Sequence, residues 1–111
     1  MLLPNANAAQ VSEQKIVDYL FSFAHPDGAS QARFFVSLGF RPEDWQLLAE
    51  AFRQLATDQV VTKSIQSVHG TKDIIEGSIA SPSGGSAQVR TIWITDEGQD
   101  APRLVTAYPC Q

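Results

Sequence analysis

Arg90, Thr91, Arg103, Thr106 and Tyr108 are crowded into two short runs near the C-terminal end, Gln88–Thr95 and Pro102–Pro109. An arginine set among threonine and tyrosine hydroxyls suits a phosphate group. The guanidinium supplies charge in a fixed fork and the hydroxyls supply hydrogen bonds. A sheet built only to cover a core would carry simpler polar residues on its wet face. The competing reading puts Arg90 at the sheet margin, bonding a loop carbonyl or a carboxylate.

Other chemistries are poorly served. His25 and His69 lie 44 positions apart, with no cysteine or histidine at ligand spacing near either, so no metal site is expected. Neither G-x-G-x-x-G nor G-x-x-x-x-G-K-[ST] occurs, and Ser83-Gly-Gly-Ser86 has the look of a flexible hairpin loop. No serine sits on a nucleophile elbow. The acidic pairs Glu43-Asp44 and Asp96-Glu97 fit a helix start and a solvated loop. Cys110 is penultimate and alone, which suits a reducing compartment and a frayed surface thiol. No cofactor is expected. His69 falls in a turn, exposed and inert, and the His25-Pro26 corner suits a capping or packing role.

The elements that must position these side chains divide near residue 59. Ser12 can cap a helix whose apolar members Ile16, Tyr19, Leu20 and Phe23 fall at helical spacing, and His25-Pro-Asp-Gly28 breaks it. A second helix spans about Ser30 to Leu38, stopped by Gly39. The third has Pro42 in its first turn, Glu43 and Asp44 at its positive end, and a stripe of Trp45, Leu48, Phe52 and Leu55. After Asp58 come four β-type runs: Val60–Val68, Thr71–Ile79, Ala87–Thr95 and Arg103–Tyr108. Helices followed by strands is an α+β order, with N-terminal helices packed on one face of a four-stranded antiparallel sheet. A single domain over residues 1–111 is expected, helical to residue 59 and sheet from residue 60. Val105 and Ala107 suit the covered face, which would leave Thr106 and Tyr108 on the open one. On the preceding strand, both the Thr91/Trp93 set and the Arg90/Ile92/Ile94 set hold apolar residues, so its inward side stays open.

Charge narrows the partners. The 111 residues carry 8 basic and 12 acidic side chains, a net charge of −4. Residues 1–59 hold 4 basic and 7 acidic side chains, residues 60–111 hold 4 and 5. A nucleic-acid binder normally shows a basic footprint, so only a local basic site could engage RNA or DNA here. No apolar run approaches the roughly 20 residues of a membrane-spanning helix. The opening Met-Leu-Leu-Pro-Asn has neither the basic nor the apolar region of a secretory signal, and a cytoplasmic setting is expected.

The pattern Lys15-Ile-Val-Asp-Tyr-Leu20, His25-Pro-x-Gly28, Ala32-Arg-Phe-Phe-x-x-Leu-Gly-Phe40, Trp45, Arg90-Thr-x-Trp93 and Pro102-Arg-Leu-Val-Thr-Ala-Tyr-Pro109 resembles a small uncharacterised bacterial domain family. That family occurs free-standing and as a terminal domain of larger toxins. Its Thr-Ala-Tyr-Pro ending is similar to that of metal-independent ribonuclease toxins of the barnase, EndoU, colicin and RelE-like type. The resemblance implies RNA cleavage by attack of a ribose 2′-OH on the adjacent phosphate, which needs a base, an acid and a cation. It casts His25, Arg90, Thr106 and Tyr108 as catalytic, with Arg33, Thr91 and Arg103 binding substrate. The alternative is an acidic, non-enzymatic binding module, an immunity or antitoxin-type partner protein working through its helical half. RNA and a protein are thus the two expected partners.

Overall fold

The computed structural model describes residues 1–21 and 29–110. Its strand half is one antiparallel sheet with strands in chain order: Val61–Ser67 (β1), Gly70–Ala80 (β2), Ser86–Asp96 (β3) and Arg103–Pro109 (β4). Gly70 ends the β1–β2 turn at φ 138, where a Cβ would overlap the Thr95 carbonyl oxygen. Only glycine fits there. The Ser81–Gly85 loop sets Ala80 opposite Ser86 and carries that register along both strands without interruption. The outer edge of β4 is covered in part by the N-terminal segment, since Leu104 N–H donates to the Gln10 carbonyl at 3.0 Å and Gln10 N–H to that of Pro102 at 2.8 Å. Such cover keeps an edge strand from pairing with other chains.

The helical half packs on one face. Ser12 Oγ accepts the Lys15 N–H at 3.0 Å, the cap its residue type suggests. The chain then winds in wider π-type turns over Lys15–Leu20. Helix α1 covers Ala29–Ser37, and Gly39 at φ 99 ends it. A short turn at Pro42–Asp44 leads into α2, Trp45–Asp58. Leu48, Phe52 and Leu55 are buried as their spacing requires, while Trp45 packs against the core only half-buried. Phe35 of α1 meets Phe52 edge-on at 5.8 Å. The Ser81–Gly85 loop is more than flexible: the Ser81 and Ser83 hydroxyls both donate to the Leu38 carbonyl left over at the end of α1. No helix among the described residues is long and apolar enough to cross a membrane.

Two questions of facing are decided here. Val89, Thr91 and Trp93 turn toward the helices, leaving Arg90, Ile92 and Ile94 on the opposite face. Trp93 can be fully buried because its indole N–H donates to Thr91 Oγ1 at 2.8 Å, and that hydroxyl donates to the Ile75 carbonyl at 2.9 Å. On β4 the inward residues are Leu104 and Ala107, with Val105 only half-buried. The expected alternation fails because Val105 is an extra residue: Ile92 pairs with Thr106, but Trp93 pairs with Leu104. A β-bulge of this kind lets two positions of opposite parity face one core.

Candidate functional site on the open sheet face

The register lays the open face out in three rows across the strands. The first is Ile65, Lys72, Ile94 and Arg103, and the second is Lys63, Ile74, Ile92 and Thr106. The third is Glu76, Arg90 and Tyr108. All four basic residues of the sheet half therefore lie on one face, around a belt of isoleucines. Its acidic company on the strands is Glu76 and Asp96. Within an acidic chain this is the local basic surface that overall charge does not reveal.

The third row holds most of the chemistry. Arg90 Nε donates to Glu76 Oε2 at 2.6 Å, and its Nη2 lies 2.6 Å from the same oxygen. On the other side the Arg90 guanidinium stands 5.7 Å from the Tyr108 ring centroid, within cation–π range. Tyr108 and then Glu76 hold the Arg90 pKa above its ordinary value. The Arg90 hydrogen bond, followed by one from Cys110, holds the Glu76 carboxyl below the usual range, so it is ionised at neutral pH. Cys110 is not frayed. Its N–H bonds the Gln88 carbonyl at 3.0 Å, and its thiol donates to Glu76 Oε2 at 3.3 Å. That bond, with burial and the carboxylate charge, pushes the thiol pKa up and keeps it protonated.

The other residues singled out in the sequence are more scattered. Thr106 sits one row from Arg90, and its hydroxyl accepts a hydrogen bond from the Gln31 side-chain amide of α1 at 3.4 Å. Arg103 forms a two-pronged pair with Asp96, at 2.8 and 3.1 Å. Thr91 belongs to the core, its hydroxyl engaged by Trp93 and Ile75, so it does not join the open face. Arg33 is exposed on α1 and makes no ion pair or hydrogen bond with a described residue. His25 lies outside the described residues. Glu76, Gln31 and Cys110 join the cluster although no motif marked them. A signal for Glu76 existed: a five-residue loop that sets Ala80 opposite Ser86 necessarily sets Glu76 opposite Arg90.

This arrangement can bind an anion through Arg90, with Tyr108 and Thr106 at hand, while Glu76 is a carboxylate that an incoming anion would release. A family model for a domain of unknown function, DUF6883, matches residues 2–111. The chain belongs to this family. Among curated proteins, none matches this DUF6883 chain. Among solved structures, its fold resembles a component of the contact-dependent growth inhibition toxin–immunity protein complex from Klebsiella pneumoniae 342. The two superpose with a TM-score of 0.74 at 22% identity, over 96% of this chain and 97% of that one. At that identity the likeness is one of fold: helices on a four-stranded antiparallel sheet.

Proposed function

We propose that this DUF6883 chain is a toxin-type domain that binds RNA on its open sheet face and cleaves phosphodiesters without a metal. The observation that carries the reading is the Glu76–Arg90–Tyr108 row, set among Lys63, Lys72 and Arg103 in a chain that is otherwise acidic. Arg90 neutralises the scissile phosphate, whose charge grows as the 2′-OH attacks. Binding draws Arg90 away from Glu76, and the carboxylate regains the basicity that the ion pair suppresses. It then takes the 2′-OH proton. The Tyr108 and Thr106 hydroxyls orient phosphate oxygens. The proton for the leaving 5′ oxygen falls to His25, the role its residue type suits.

Purified protein should cleave single-stranded RNA in EDTA, leaving cyclic 2′,3′-phosphate ends. Arg90→Ala and Glu76→Gln should each lose at least a hundredfold in rate with unchanged circular dichroism. Cleavage that EDTA abolishes, or that survives both substitutions, would sink the proposal.

A second reading rests on the other side of the molecule. Glu43, Asp44, Glu50 and Asp58 are exposed on and beside α2, and Glu50 lines a groove with Phe40, Leu47 and Ala51 in which Leu47 is 57% exposed. An apolar groove with a carboxylate in its wall, on the more acidic half of the chain, fits an immunity-type protein docking a basic partner. That reading takes over if no RNA is cut and Glu50→Lys removes a captured partner while open-face substitutions do not.

A further inference from the structure

On the helix side of the sheet, at the end that α2 does not reach, one carboxylate is buried without a partner. Asp73 is 2% exposed, and its Oδ1 accepts no hydrogen bond from any described residue. Its cross-strand neighbours cannot supply one. Trp93 on one side gives its N–H to Thr91, and Ser64 on the other is exposed and unbonded to it. A buried carboxylate normally lies against an arginine, a lysine or a set of N–H donors, because removing it from water is costly otherwise.

Asp73 lines a cavity of about 260 Å³. Thr71 and Thr95 lie across it as a cross-strand pair, and Asn5, Ser64, Gln66, Gln99 and Asp100 make up the rest of its polar lining. Among the described residues no lysine, arginine or histidine side chain lines it, and Met1 lies at its edge. No group of three metal-ligating side chains occurs among the described residues, which argues against a coordinated metal ion. What remains is a site with two carboxylates and several hydroxyl and amide oxygens, in which the α-ammonium of the exposed Met1 makes no ion pair with Asp73 or Asp100.

We infer that this cavity binds an organic cation, a guanidinium or primary ammonium group, whose N–H donors meet Asp73. The cation's positive charge offsets that of the buried carboxylate, and the threonine hydroxyls and Gln99 take the remaining donors. The group arrives either as a free small molecule or as the tip of a basic side chain on a partner protein. The site faces away from the Arg90 row, so the inference stands apart from the RNA reading and survives its failure.

The test is an amide-resolved NMR titration of the whole chain with methylguanidinium and ethylammonium at constant ionic strength. Methylurea serves as the neutral isostere, and an N-acetylated Gly-Arg-Gly amide as the peptide. Both cations should give saturable shifts at Thr71, Asp73 and Thr95, and methylurea none. Asp73→Asn should remove the response, and it should also raise the Tm of the free protein, because an uncompensated buried carboxylate is gone. Asp100→Asn, an exposed change that keeps the fold, should weaken binding severalfold. Tighter binding of the peptide than of methylguanidinium assigns the site to a partner's side chain, and the reverse order to a free small molecule. No saturable response, an equal response to methylurea, an unchanged response in Asp73→Asn, or preferential binding of magnesium or calcium would each overturn the inference.

Discussion

Glu76 Oε2 serves both Arg90 and the Cys110 thiol, and this shared acceptor makes two residue-scale outcomes measurable. The thiol pKa is raised, so little thiolate is present near neutrality and Cys110 should react slowly with iodoacetamide. Glu76→Gln removes the carboxylate charge and should shift the pH–rate profile of alkylation toward lower pH. Superimposable profiles for the two proteins would mean that the thiol and the carboxylate do not meet. The second outcome is acid sensitivity. Glu76 has a folded-state pKa below its unfolded value, so its contribution is fully present above the ordinary value near ~4.3. It is lost as pH falls through the lower folded value, and Asp96, held down by Arg103, behaves in the same way. Urea unfolding of Glu76→Gln should therefore differ from wild type at pH 7 and converge with it near pH 2. Neither pairing was written in residue identity alone. Arg90 was recognisable as a cation for a phosphate or a carboxylate, but which carboxylate it met depended on the length of the Ser81–Gly85 loop between β2 and β3.

The elements were the most legible level, and for a physical reason. Helical spacing of Leu48, Phe52 and Leu55, and the glycines that end segments, are local signals that need no tertiary contact. Phe52 is fully buried, with Phe35 edge-on to it, so Phe52→Ala should cost about 3–5 kcal/mol, read from the urea midpoint. A loss below about 1 kcal/mol would mean the stripe is not core. Gly70→Ala should cost about 1–3 kcal/mol, because the turn holds φ 138 and a new Cβ would strike the Thr95 carbonyl. Gly98, at φ 82 with nothing within 4 Å of a built Cβ, serves as the comparison: its cost should be conformational strain alone and hence smaller. The β4 bulge was not legible. Leu104-Val-Thr-Ala-Tyr reads as simple alternation, and only pairing with Trp93 and Ile92 reveals that Val105 is extra.

At the scale of the whole molecule, the sheet separates charge that the sequence averages. Lys63 and Lys72 have no ion-pair partner among the described residues, whereas Arg90 and Arg103 are paired with Glu76 and Asp96. If RNA lies on the open face, replacing both lysines with alanine should flatten the salt dependence of binding. The expected change in the slope of log K against log salt is about 1.4, at about 0.7 per phosphate contact on a single strand. Glu50→Lys on α2 should leave that slope unchanged. A slope indifferent to the lysines, or sensitive to Glu50, would place the nucleic acid elsewhere. By itself the sequence determined the α+β order, the antiparallel meander, the helix stripe that forms the core, and the exclusion of familiar metal and nucleotide motifs. All of these follow from short-range periodicity and turn chemistry. Only the tertiary structure decided that Thr91 and Trp93 face inward, that Arg90 stands between Glu76 and Tyr108, and that Asp73 is buried with its Oδ1 unpartnered among the described residues. Each of those depends on strand register and on where the helices stop covering the sheet, and no single strand encodes either.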